Sequence, residues 1–139
     1  MTPRQHAFVA LGSNLGDRAA FLALGRRELA ALPDTVLRAE TDAVETAPLG
    51  GLAQPAYLNQ MVLLETGLDP HRLLGECHRI EGLAGRERCT QWASRTLDLD
   101  LLRHGEMLCD TPTLVLPHPG LRDRLFWARE MATLESHDH

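Results

Sequence analysis

Thr96-Leu-Asp-Leu-Asp-Leu-Leu102 alternates apolar and acidic residues, and a period of two is the pattern of a β-strand with one buried face. Leu97, Leu99 and Leu101 share one side of such a strand, Asp98 and Asp100 the other. The leucines call for a layer packed on their side, which puts the strand in a sheet covered on at least one face. The two carboxylates repel each other unless a cation lies between them. Mg²⁺ suits the position, because it prefers carboxylate oxygens, keeps several waters and takes its remaining ligands from phosphates. Two acids simply facing solvent would show the same spacing, so the neighbouring residues have to decide.

Upstream, Gly82 to Ser94 has no hydrophobic periodicity, two glycines and several polar residues, which marks a long loop. It carries Arg86 and Arg88 and leads to Arg95, whose guanidinium groups are suited to clamping a polyphosphate, and Trp92, whose ring suits stacking on a base. Downstream, residues 105–116 read as an irregular hairpin. Pro117-His-Pro-Gly120 then breaks the chain before a short C-terminal helix. His118 in that stiff turn and Arg124 just after it are further phosphate-compatible groups.

Farther towards the N-terminus, His6 to Leu11 reads as a strand that stops at the turn signal Gly12-Ser-Asn14. Asp17 caps a helix over Arg18 to Leu32, with Leu22, Gly25, Leu29 and Leu32 at helical spacing before Pro33. Thr35 to Thr46 is strand-like, and Ala47-Pro-Leu-Gly-Gly51 is loop. Tyr57 to Thr66 is a half-buried or central strand. Asp69-Pro70 opens a second helix whose inner stripe is Leu73, Cys77 and Ile80, ending near Gly82. The order β-α-β-β-α-β predicts one α+β domain over 1–139, a mostly antiparallel sheet with helices packed on it.

Composition narrows the chemistry. With 139 residues, 44% hydrophobic, the chain supports one core. A net charge of -5 without blocks of like charge argues against nucleic acid as a partner. All 14 basic residues are arginine, so a P-loop lysine is excluded and phosphate chemistry must run on guanidinium groups and metal ions. Three separated cysteines fit a reducing compartment. With no signal-peptide pattern and no long apolar run, the expectation is a cytoplasmic protein without a membrane partner.

A second cluster joins Thr46-Ala-Pro-Leu-Gly50 to Tyr57-Leu-Asn59. An amide that both donates and accepts, beside aromatic surfaces from Tyr57 and Phe126, suits a flat amino-oxo heterocycle. An ordinary turn followed by a strand accounts for the same spacing.

Taken in order, Ala10-Leu-Gly-Ser-Asn-Leu-Gly16, Thr46-Ala-Pro-Leu-Gly50, Gln54-Pro-Ala-Tyr-Leu-Asn59, Arg79-Ile-Glu81, Gly85-Arg-Glu-Arg88, Arg95-Thr-Leu-Asp-Leu-Asp100 and Pro117-His-Pro119 resemble the 6-hydroxymethyl-7,8-dihydropterin pyrophosphokinases. The resemblance implies a ferredoxin-like α/β sandwich and transfer of pyrophosphate from ATP to 6-hydroxymethyl-7,8-dihydropterin, a step of folate biosynthesis, with two Mg²⁺ ions. It implies metal-bridging roles for Asp98 and Asp100, catalytic phosphate contacts from Arg86 and Arg95, and a pterin pocket of Thr46, Pro48, Leu49, Tyr57, Asn59 and Phe126. Glu81, Arg88, Trp92, His118 and Arg124 match positions used for ATP. The chain departs from the family pattern at Gln91-Trp-Ala-Ser-Arg95, where Arg-Trp-Gly-Pro-Arg is usual, and in a shortened C-terminal segment. Two other readings stay open: a divergent paralogue that acts on another pterin or only binds one, and a metal-dependent phosphohydrolase.

Overall fold

The computed structural model describes residues 3–46, 56–85 and 96–136. Strand β1 (Gln5–Ser13) leads to helix α1 (Arg18–Ala30), then β2 (Thr35–Glu40), β3 (Val44–Thr46), β4 (Tyr57–Thr66), helix α2 (Pro70–Leu83), β5 (Asp98–His104), a small hairpin of β6 (Cys109–Asp110) and β7 (Val115–Leu116), a single 3₁₀ turn (Pro119–Arg122) and helix α3 (Leu125–Ser136). The main sheet has the order β2-β4-β1-β5, with β3 also paired to β4. Its pairings are all antiparallel. The predicted α+β architecture holds. The strand expected over residues 35–46 divides in two, and the C-terminal helix is a full 12 residues.

Local chemistry explains the helix starts. The Asp17 carboxylate accepts from the Ala20 N–H at 3.1 Å and that of Asp69 from the Arg72 N–H at 2.9 Å, each satisfying a donor that a first turn otherwise leaves open. Pro70 occupies the first turn of α2, where its missing N–H costs nothing. Gly25 in α1 is required by packing: a Cβ there would stand 2.8 Å from Leu11 Cδ2, so helix and central strand approach more closely than any larger residue permits.

Alternation along the strands sorts side chains into two layers. Ala7, Val9, Leu11, Val62, Leu64, Leu99 and Leu101 pack with Leu22 and Leu29 of α1 and Leu73, Cys77 and Ile80 of α2. On the opposite face Phe8, Ala10, Met61, Leu63 and Leu102 pack with Trp127, Met131 and Leu134 of α3. Burial of a leucine is worth about 2 kcal/mol, so each helix is held chiefly by its stripe. No helix among the described residues is long and apolar enough to cross a membrane.

Candidate active site

Helix α3 covers only one end of its sheet face, and the candidate site lies at the other. Register defines it. On β1, Gly12 pairs with Asn59 of β4 on one side and with Asp98 of β5 on the other, while Ala10 pairs with Met61 and Asp100. Asn59, Gly12 and Asp98 therefore form one row across three strands, and Asn59 and Asp98 are separated by two strand spacings, roughly 9.5 Å. The leucines at 99 and 101 are buried and the two aspartates half-buried, as the alternation predicts. The turn signal at Gly12-Ser13 does not end the strand, since both residues remain in β1. Gly12 is present because of what lies above it: a Cβ there would be 3.3 Å from Asn59 Oδ1 and 3.4 Å from Tyr57 Cδ1. Bare backbone leaves room for the tyrosine ring and the amide to approach the strand closely.

The Asn59 side chain donates through Nδ2 to Thr46 Oγ1 at 2.5 Å, a contact delivered by the antiparallel pairing of Val44–Thr46 with Tyr57–Asn59. This orients the amide, whose carbonyl lies over Gly12. Arg18, at the start of α1, donates to the Ala56 carbonyl at 3.0 Å and pairs with Glu45, joining β3 to the residue that precedes β4.

At β5 the ladder shifts between Phe8 and Val9, a bulge that leaves Leu102 without a β1 partner and turns the strand. The His118 N–H donates to the Leu102 carbonyl at 2.9 Å, which carries the imidazole to the acidic row. His118 Nε2 lies 3.8 Å from Asp100 Oδ1. Its Nδ1 accepts from the Gly120 N–H at 2.9 Å, so in the neutral ring the proton is on Nε2 and faces the aspartate. Burial, and then the charge of Arg124, push the imidazole pKa below its ordinary value and favour that neutral form.

Trp127 organises the rest. His118 meets it edge-on with centroids 5.2 Å apart. Arg124 lies over it at 4.3 Å, and Phe126 touches it at 6.0 Å. Trp127 of helix α3 thus gathers His118, Arg124 and Phe126 around its ring, and His118 among them stands beside Asp100. Glu81, buried at the end of α2, accepts from the Leu99 N–H through Oε2 at 2.8 Å. Of the residues singled out in the sequence, Pro48, Leu49, Arg86, Arg88, Trp92 and Arg95 lie outside the described residues. Trp127 and the room that Gly12 leaves went unread. The helical spacing of Trp127, Met131 and Leu134 was the available signal for the former.

Fold and site define a class: a small α+β domain with half of one sheet face given to an acidic, aromatic and amide-bearing site. Comparison with known proteins makes the class particular. The family model described as 7,8-dihydro-6-hydroxymethylpterin-pyrophosphokinase (HPPK) matches residues 8–136, and the chain belongs to that family. It is 40% identical over 120 residues to a 2-amino-4-hydroxy-6-hydroxymethyldihydropteridine pyrophosphokinase of Methylorubrum extorquens, covering 86% of this chain and 76% of the relative. Proteins of the same name from Haemophilus influenzae (38% identity, 86% and 75% covered) and Pseudomonas aeruginosa (38%, 94% and 80%) are similarly related.

Proposed function

We propose that this chain transfers pyrophosphate from ATP to 6-hydroxymethyl-7,8-dihydropterin, giving the pterin pyrophosphate and AMP, and does so in the cytoplasm as a step of folate biosynthesis. The strand order, with two β-α-β units interleaved in one antiparallel sheet, is read as ferredoxin-like. The observation that carries the activity is the row Asn59, Gly12, Asp98. It sets a heterocycle-binding amide within one small substrate's length of a carboxylate pair.

In this reading Thr46, Pro48, Leu49, Tyr57, Asn59 and Phe126 hold the pterin. Thr46 orients the Asn59 amide so that it matches the ring edge by donating and accepting. Asp98 and Asp100 hold Mg²⁺. Two half-buried carboxylates on one strand face fit that ion. Among the described residues no group of three or more His, Cys, Asp or Glu side chains forms a protein-only cage, and a donor set that leaves positions for water and phosphate suits Mg²⁺. When bound, Mg²⁺ neutralises charge on the polyphosphate and aligns it. Of the residues matched to ATP, Arg88, Trp92, His118 and Arg124 face the nucleotide, and Arg86 and Arg95 meet the phosphates undergoing transfer. The pterin hydroxymethyl oxygen attacks the β-phosphorus in line, the bond between that phosphorus and the α,β-bridging oxygen breaks, AMP departs, and the hydroxyl proton passes to solvent. Alignment and charge stabilisation by these side chains supply most of the acceleration.

The test is AMP release by the purified chain with Mg-ATP, with and without the pterin, beside calorimetric pterin binding. AMP formed only with the pterin is the expected result. Binding without AMP makes the chain a pterin receptor, and AMP or phosphate release without pterin makes it a hydrolase.

A further inference from the structure

Strand β5 ends the described sheet, so β1 covers one of its edges and no described strand pairs with the other. On that outer edge the structure places two contacts: the Leu99 N–H donates to Glu81 Oε2, and the Leu102 carbonyl accepts from His118. Leu99 lies between Asp98 and Asp100. Its peptide is therefore tied to α2 at the point where the strand carries both carboxylates. Glu81 is only 4% exposed, and a carboxylate is kept out of water only where hydrogen bonds to it offset the cost.

The main-chain groups of Asp98 and Asp100 point towards β1, while those of Leu99 point away. The Asp98 carbonyl and the Leu99 N–H belong to one peptide plane, which without an acceptor on the outer side is held from the β1 side alone, so that the plane and the directions of the flanking carboxylates are less tightly fixed. With Glu81 in place, β5 is held from both edges. A side chain from the helical layer, outside the aspartate face, thus governs the geometry of the acidic pair.

We propose that Glu81 is a positioning residue for the Asp98 and Asp100 pair, acting through the Leu99 N–H. The inference rests on the reading of that pair as the cation site, and it differs from a contact of Glu81 with nucleotide.

Glu81→Gln keeps an acceptor oxygen and removes the charge, whereas Glu81→Ala removes both. Three quantities are compared with the unsubstituted chain: hydrogen exchange of the Leu99 amide without ligands, Mn²⁺ binding in the presence of ATP followed by electron paramagnetic resonance, and the kinetic constants for ATP and pterin. In Glu81→Ala, exchange at Leu99 accelerates at least about tenfold and Mn²⁺ affinity falls about tenfold, as for other groups that orient metal ligands. KM for the pterin stays constant. Glu81→Gln restores both. Unchanged exchange at Leu99 in the alanine variant overturns the proposal. So does a glutamine variant as defective in Mn²⁺ binding as alanine, or a rise in KM for ATP with Mn²⁺ binding intact, which assigns Glu81 to the nucleotide. Should the alanine variant not fold, Glu81→Asp serves, one methylene too short to reach Leu99 while keeping the charge; wild-type exchange and Mn²⁺ binding in that variant overturn it equally. Exchange and Mn²⁺ binding need no turnover, so a chain that releases no AMP refutes the enzymatic reading and leaves the positioning role to be decided by these two measurements.

Discussion

The two halves of the sheet face towards α3 are built on the same three strands and differ only in what those strands carry. Under the helix, Phe8, Met61, Leu63 and Leu102 meet Trp127, Met131 and Leu134 and exclude water. Two residues farther along each strand, the same face carries Gly12 in place of Ala10, Asn59 in place of Met61 and Asp100 in place of Leu102. The change from core to site thus takes one pleat repeat on each of three strands, and on β5 it coincides with the bulge at Leu102. Packing and chemistry are separated along a strand, so substitutions in one half should affect stability and in the other function.

The sharpest break of that separation comes from the acidic row. Asp98→Ala or Asp100→Ala should reduce Mg²⁺-dependent AMP release by at least about a hundredfold while calorimetry shows pterin binding within a few-fold of the original. Near-normal turnover in both variants removes the metal assignment. Next in size is Leu134→Ala in the covered half. Leu134 is fully buried, and the cavity should cost about 2–5 kcal/mol in urea unfolding, with KM for both substrates little altered wherever the variant is folded. A large loss of pterin affinity without loss of stability would show that the halves are not independent.

Gly12→Ala tests the bare backbone between them. The added methyl meets Asn59 Oδ1 at 3.3 Å and the Tyr57 ring at 3.4 Å, so the amide and ring must move by a few tenths of an ångström. Pterin affinity should weaken about tenfold, equivalent to about 1.4 kcal/mol, with the melting temperature nearly unchanged. Unaltered affinity would mean that the heterocycle does not rest on this row.

The acidic strand was legible because burial and chemistry share its period: Leu97, Leu99 and Leu101 are inside and Asp98 and Asp100 half-exposed. Both helix starts were legible through Asp17 and Asp69, whose capping is a local interaction. Gly12 was read as a turn because a glycine has no side chain to report its surroundings; the reason it is needed belongs to Asn59 and Tyr57, some 45 residues away in the chain. The bulge at Leu102 was invisible for a related reason, since an extra residue exists only relative to the partner strand. Trp127 has the composition of an ordinary core residue, and its position beneath His118 and Arg124 follows from the docking of α3.

The seam between the two halves offers the smallest effect. Thr41 bridges there: its hydroxyl accepts from the Met61 N–H and donates to Glu130 Oε2 of α3, each at 2.9 Å. Burial pushes the Glu130 carboxyl above its ordinary value of 4.5, and the Thr41 hydrogen bond only partly opposes it. A carboxyl whose pKa is raised by folding favours the folded state at pH below its unfolded value, and that contribution disappears as pH rises through the folded value, where the buried group must ionise. Glu130 is therefore a burden at neutral pH. Glu130→Gln keeps an oxygen for Thr41 and removes the charge, so it should melt higher than the unsubstituted chain by about 1–2 °C at neutral pH. That advantage should fade as the pH is lowered through the folded value, and be gone well below 4.5, where the carboxyl is neutral in the folded and unfolded chain alike. A gain independent of pH would trace the effect to packing, and a loss at neutral pH would show that the ionised carboxylate holds the seam, joining the two halves more tightly than their separate chemistry suggests.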